Sequence, residues 1–322
     1  MESAERYGYE ATSAAMKLVV NSAYGYLAAG GLTRFADVHA ANEVTRRGRE
    51  TLELMCRELA ARGVTLIEAD TDGVYFAVPE GWAESDERRV VAEVGAMLPP
   101  RVQLEFEGRY AAMLSHEPKN YALLRYDGPL ILHGVAFRSS RAEPFGEAFL
   151  RKAIGHLLMG DVAGVREAYL ETLDRLRRRE LPTRDVSSRV RLTKTPTEYF
   201  AVRESRRELP YEAMLASGRT SWSVGDRVRV YRKRKGQCAL LEESEDGRAR
   251  TSNVDDRGYD VDHYARQLRQ TFATRLECAF TPADYEAVFA NPDQMSLFLP
   301  AIATIRFHRK AMAFTEAGVQ PA

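Results

Sequence analysis

Asp70-Thr71-Asp72-Gly73 is the segment that most constrains what this chain can fold into. It separates two runs rich in β-branched and aromatic residues, Val64-Thr65-Leu66-Ile67 and Val74-Tyr75-Phe76-Ala77-Val78. An Asp-Gly step between such runs is a strong tight-turn signal, so the segment predicts a β-hairpin with two carboxylates at its tip. Carboxylates placed there suit a hard divalent cation, because Mg2+ takes carboxylate oxygens and shares the rest of its shell with water and phosphates. An ordinary Asp-Gly turn accounts for the same pattern when the segment is taken by itself.

A second segment lies upstream. Lys17-Leu18-Val19-Val20-Asn21-Ser22-Ala23-Tyr24-Gly25-Tyr26 reads as the end of a helix, since its run-up over 10–20 has good helix formers and neither Pro nor Gly. Lys17, Asn21 and Tyr24 are spaced i, i+4, i+7 and share one helix face. A cation, an amide and an aromatic ring on one face suit a phosphorylated ligand that carries a base: lysine meets phosphate as a point charge, and a tyrosine ring packs on a base or sugar. Gly25 then lets the backbone turn or approach closely. A solvated polar stripe ending at a glycine has the same spacing.

The charge balance narrows the class of partner. Lys and Arg number 46, as do Asp and Glu, so the chain is no simple polycation that coats nucleic acid. The charges are unevenly spread. Arg175-Leu176-Arg177-Arg178-Arg179 falls on a helix that begins near Val162. Arg227-Val228-Arg229-Val230-Tyr231-Arg232-Lys233-Arg234-Lys235 alternates like a strand, with Arg227 and Arg229 on one side and Val228 and Val230 on the other. A basic face on an apolar backing suits a phosphate backbone. Acidic stretches such as Glu242-Glu243-Ser244-Glu245-Asp246 balance the count. Three isolated cysteines, Cys56, Cys238 and Cys278, have no zinc spacing and point to a reduced, cytoplasmic setting. No run of about 18 apolar residues and no apolar signal core is read, so no membrane partner is expected.

Lys-x-x-x-Asn-Ser-x-Tyr-Gly followed by Asp-Thr-Asp-Gly, in this order and separation, resembles the family B DNA polymerases. The first matches the family's fingers-helix motif and the second its palm metal-binding motif. Lys119-Asn120-Tyr121, in a strand-like stretch to Leu124, is similar to the Lys-x-Tyr element that holds the primer–template duplex. Asn42-Glu43-Val44-Thr45-Arg46-Arg47-Gly48-Arg49-Glu50 resembles the palm helix after the fingers. The segments 181–194 and 259–264 are similar to thumb landmarks. One departure stands out. The family's upstream palm strand, with a metal-binding aspartate in an Asp-x-x-Ser-Leu-Tyr-Pro context, has no counterpart here, and neither has the exonuclease domain. The resemblance is therefore to the C-terminal part of a polymerase.

The resemblance implies an α+β fold: an antiparallel palm sheet with packed helices, followed by a mainly helical thumb. Its expected spans are a fingers remnant over 1–30, a palm over 31–144, and a thumb with a C-terminal tail over 145–322. Within the palm, the residue pattern predicts a helix over 40–62, the hairpin, a helix over 84–97, and strands over 102–106, 121–126 and 130–134. The implied chemistry is two-metal nucleotidyl transfer with Mg2+. Asp72 is the expected metal ligand, with Asp70 as a second ligand or a supporting carboxylate. Lys17 is expected on the deoxynucleoside triphosphate, and Asn21 and Tyr24 in the nascent base-pair pocket. Lys119, Tyr121, Arg138 and Arg141 are expected on primer–template DNA. Without the upstream aspartate, this chain by itself is expected to have little or no polymerase activity and to need an N-terminal polymerase portion. The family also implies a nucleoid-associated protein of replication or repair.

Gln294-Met295-Ser296-Leu297-Phe298 resembles the bacterial sliding-clamp-binding pentapeptide. Leu297 and Phe298 would fill an apolar pocket and Gln294 would bond at its rim. Two other readings compete: a non-catalytic DNA-binding or scaffold relic that kept the thumb and clamp contact, and an unrelated metal-dependent phosphotransfer enzyme. The last leaves the segment 17–25 unexplained.

Overall fold

The computed structural model describes residues 10–70, 73–139, 141–241, 255–292, 299–307, 313–315 and 318–320. The chain divides into two compact units, Met1–Glu107 with Lys310–Ala322, and Gly108–Arg309. Helices alternate with small antiparallel sheets in an α+β arrangement.

The first unit opens with helices α1 (Glu10–Ala28) and α2 (Val38–Ala61). Asp37 starts α2, its carboxylate accepting from the Ala40 N–H at 2.9 Å. Leu52, Met55, Cys56 and Leu59 recur at i, i+3, i+4, i+7 and form the apolar stripe of α2. That stripe packs on Val64 and Leu66 and on Val90 and Val94 of α3 (Glu84–Gly95). Gly63, at φ +87°, stops α2 in a left-handed conformation that glycine adopts without strain. Strands β1 (Thr65–Asp70) and β2 (Gly73–Ala77) then form the expected hairpin. Their register slips by one residue between Leu66 and Glu68. Beyond that bulge Ala69 pairs with Val74 on the core side, while Glu68 with Tyr75 and Asp70 with Gly73 take the other face.

The strand expected over 102–106 does not form. The alternation is present, with Leu104 and Phe106 half-buried, but among the described residues the segment pairs with no strand. Leu104 packs instead on α3, where a Cβ at Gly95 would lie 3.4 Å from its own Cβ, and Arg88 covers the Phe106 ring at 4.6 Å. Period-two patterning makes a half-buried segment; a strand also needs a backbone partner.

The second unit begins with β3 (Ala112–Glu117), β4 (Asn120–Leu124) and β5 (Ile131–His133), an antiparallel sheet in sequence order. A loop containing Asp127-Gly128 joins β4 to β5, which pair antiparallel. Helices α4 (Pro144–Leu158) and α5 (Val162–Arg177) form an antiparallel pair. Phe149, Leu150 and Ile154 of α4 and Val165, Tyr169 and Leu176 of α5 lie in one large core, together with Leu114, Ala122, Phe272 and Phe289. A third sheet, β6 (Ser188–Arg191), β7 (Arg227–Arg232) and β8 (Cys238–Leu241), has its own apolar cluster with helices α6 (Pro196–Val202) and α7 (Leu209–Ala216). In that cluster Tyr199 stacks on Tyr211 at 4.4 Å. The basic strand of the sequence is β7; its partner β6 carried no strand expectation.

Candidate nucleotide and nucleic-acid sites

In the first unit Lys17, Asn21 and Tyr24 all lie exposed on α1. The Tyr24 hydroxyl meets Thr45 Oγ1 of α2 at 3.1 Å. Thr45 spends its own proton on the Ala41 carbonyl at 3.0 Å, so Tyr24 is the donor. This bond ties the ring to the helix resembling the family's palm helix and leaves it 44% exposed. Gly25 does not end the helix: α1 runs on to Ala28, and a Cβ at Gly25 would meet nothing within 4 Å. The helix stops where Gly30 takes φ +56°.

On α2, Arg46 and Arg47 are engaged within their own helix. Each places a guanidinium nitrogen 2.7 Å from Glu43 Oε1, and Arg46 also pairs with Glu50. Their hydrogen bonds hold the exposed Glu43 carboxyl down to about 2.

Asp70 ends β1, half-buried, on the hairpin face away from the core. Thr71 and Asp72 lie outside the described residues. Glu68, only 5% exposed, shares the Asp70 face, and the sequence reading passed over it. The step from Asp70 back to Glu68 was a usable signal, since residues i and i+2 of a strand share a face. Carboxylates on one hairpin face have the donor chemistry of a hard divalent cation. Among the described residues, no group of three or more His, Cys, Asp or Glu gathers as a metal site.

In the second unit Lys119 occupies the β3–β4 turn in a left-handed conformation, φ +66°, ahead of the strand. Gly134 makes this turn possible: at φ +87°, its Cβ would fall 2.2 Å from the Lys119 carbonyl oxygen. Asn120 locks the turn, accepting from the Ala136 N–H at 2.9 Å and donating to the Pro118 carbonyl at 3.2 Å. Tyr121 faces His133 across the sheet, and their rings stack at 4.6 Å and 15°. Arg138 is exposed, and its N–H donates to the Gly134 carbonyl at 3.0 Å. Arg141, also exposed, accepts at its carbonyl the Arg189 N–H of β6 at 3.1 Å. Lys119, Tyr121, Arg138 and Arg141 are thus carried by one unit. Gln294, Leu297 and Phe298 lie outside the described residues. No helix among the described residues is long and apolar enough to cross a membrane.

The chain is similar to known proteins in sequence and fold. The DNA polymerase of Pyrococcus horikoshii is 30% identical over 187 residues, covering 56% of this chain and 15% of the relative. DNA polymerase 1 of Pyrococcus abyssi is 30% identical over 172 residues, 52% of this chain and 22% of the relative. The solved family B DNA polymerase of Pyrobaculum calidifontis superposes with a TM-score of 0.60 at 22% identity, covering 86% of this chain and 36% of that one, which supports the fold. The chain therefore spans between 15% and 22% of the length of these two sequence relatives. The model of DNA polymerase family B matches residues 1–279, and the chain belongs to that family.

Proposed function

We propose that this chain is the palm and thumb portion, with the end of the fingers, of a DNA-directed DNA polymerase. It works with the rest of a polymerase, on the same or a separate polypeptide. The proposed spans are fingers over 1–30, palm over 31–144 and thumb over 145–322. The observation that carries the reading is the exposed row Lys17, Asn21 and Tyr24, with Tyr24 tied at 3.1 Å to Thr45.

In this reading Lys17 places a point charge on the triphosphate of the incoming nucleotide. Asn21 and the Tyr24 ring border the nascent base pair, and the Tyr24–Thr45 bond limits how far that ring can swing. Lys119 and Tyr121 hold primer–template DNA, with Arg138 and Arg141 on its phosphates. Asp70 and Asp72 would hold the Mg2+ ions, which when bound stabilise charge on the attacking and leaving oxygens. Catalysis by positioning fails with small misplacement, so a site short of the upstream aspartate stays silent until it is completed.

The test is primer extension with Mg2+ and all four nucleotides. The expected result is no extension by the chain alone and extension after adding a polymerase portion that carries the upstream palm aspartate. Asp72→Ala should abolish that extension. Extension by the chain alone would remove the need for completion; a completed but inactive mixture would remove the catalytic reading.

One second reading is a non-catalytic DNA-binding or scaffold relic of a family B polymerase. It predicts duplex binding indifferent to Asp72 and steeply weakened by salt. Under either reading, Gln294, Leu297 and Phe298 are proposed to dock on a sliding clamp. Loss of clamp binding in Leu297→Ala/Phe298→Ala checks this.

A further inference from the structure

Lys119 holds a left-handed conformation, φ +66°, which is unfavourable for a residue with a side chain and persists only where its surroundings impose it. The sheet imposes it only in part. The β4–β5 ladder runs as far as Tyr121 opposite His133. Beyond His133 the chain leaves the ladder, and the backbone polar groups of Ala136 need partners outside it. Side chains supply both. Asn120, the middle residue of Lys119-Asn120-Tyr121, accepts from the Ala136 N–H at 2.9 Å. The Arg275 guanidinium donates to the Ala136 carbonyl. Held from both sides, Ala136 cannot turn away without breaking one of these bonds.

Arg275 reaches this loop from the short 3-10 helix Ala273–Ala279, 139 positions along the chain from Ala136. That helix is well anchored. Ala273 and Leu276 are buried in the large core, and the Cys278 thiol meets the Ser115 carbonyl of β3 at 3.6 Å. The guanidinium lies 5.0 Å over the ring of Phe272, itself 1% exposed. Burial pushes the Arg275 guanidinium below its ordinary value, while Glu143, Glu147 and Glu117 favour the cation.

We infer that Arg275 is a positioning residue for the primer–template contact of Lys119. Its action runs through the Ala136 backbone to Asn120, and from Asn120 to the turn that aims Lys119. The inference rests on the role proposed above for Lys119. The half-buried guanidinium gives a donor to a backbone carbonyl and a face to the Phe272 ring, so it acts on the loop and not on the duplex. A contact made by positioning is lost with small displacements.

The experiment is fluorescence anisotropy of a labelled primer–template duplex against the full chain over a range of NaCl, at a temperature where circular dichroism shows each variant folded. Arg275→Met keeps a stem over Phe272 and removes the donors. It is expected to weaken binding about fivefold and to flatten the salt slope by about one, as Lys119→Ala does. In the Lys119→Ala background Arg275→Met should cost nothing further. Arg275→Lys, which returns a cation and a donor, should regain most of the affinity. Arg275→Gln replaces Arg275→Met if the latter does not fold. A loss that persists undiminished in the Lys119→Ala background marks a general structural effect and overturns the inference. Wild-type affinity and slope in Arg275→Met, beside a loss in Lys119→Ala, overturn it as well and leave the proposed function standing. If Lys119→Ala binds the duplex as the wild type does, the proposed role of Lys119 falls and the inference with it.

Discussion

Helices α1 and α4 have similar apolar content and opposite fates. On α4, Phe145, Phe149, Leu150 and Ile154 are at most 3% exposed. On α1, Met16 is 50% exposed, Leu18 68%, Val19 64%, Val20 64% and Tyr26 62%. A helix with a wide apolar face buries that face against other elements. α4 finds its cover in the helices and sheet of its own unit, whereas α1 is tied to α2 by the Tyr24–Thr45 bond and by the Asp37 N–H to the Leu27 carbonyl, and shows apolar residues to solvent. The unit proposed to carry the nucleotide-binding residues is thus the less self-sufficient of the two.

Core substitutions test this contrast with the largest effects. Phe149→Ala in the second unit should cost about 3–5 kcal/mol in denaturant unfolding. Leu59→Ala in the smaller cluster of the first unit should cost about 2–3 kcal/mol, the low end for a buried leucine. Equal losses would show the two cores to be equally tight. Two glycines come next. Gly134→Ala should cost at least 1–3 kcal/mol, roughly the scale of strained backbone, because its Cβ meets the Lys119 carbonyl. Gly25→Ala should raise stability by about 0.5–1 kcal/mol, because it sits mid-helix in open space. If that stabilised variant loses nucleotide or duplex binding, Gly25 is there for close approach to a ligand.

Exposed α1 residues should matter least to folding. Val19→Ser/Val20→Ser is expected to stay within about 0.5 kcal/mol per site. A larger loss, with a change in mass by light scattering, would mean that α1 is covered in solution. The smallest effect is a matter of pH. Glu43 and Glu212 are each lowered from 4.5 to about 2. Arg46 is first among the causes for Glu43; for Glu212 it is Arg203, with the Tyr199 hydroxyl adding a bond at 2.7 Å. A carboxyl lowered in the folded state contributes stability that is complete above its unfolded value. That contribution is lost as pH falls from about 4.5 toward about 2. NMR titration in high salt should move Glu43 back toward the usual range more than Glu212, since Glu43 is the more exposed of the two.

Local order was legible in the residues. The Asp-Gly hairpin, the 3.6-residue stripe of α2, the helix carrying Lys17 to Tyr24 and the strand with Arg227 and Arg229 each follow from short-range periodicity and turn chemistry. The family followed from two spaced motifs. The errors were also local in origin: Gly25 looked like a helix end, and the alternation at 102–106 looked like a strand. Helix cooperativity overrode the first, and for the second no strand among the described residues offered a pairing edge.

What only the tertiary structure decided is pairing at a distance. A bulge at Ile67 sets which face Glu68 and Asp70 share. Asn120, inside the Lys-x-Tyr element, proved to be the lock of its turn. Arg189 and Arg191 became part of a basic face only when β6 paired with β7, more than thirty positions on. Sequence periodicity reports which side of an element a residue occupies. Which element lies opposite depends on register and core packing, which are contacts between residues far apart in the chain, and so the pairing of arginine with arginine across β6 and β7 is visible only in the fold.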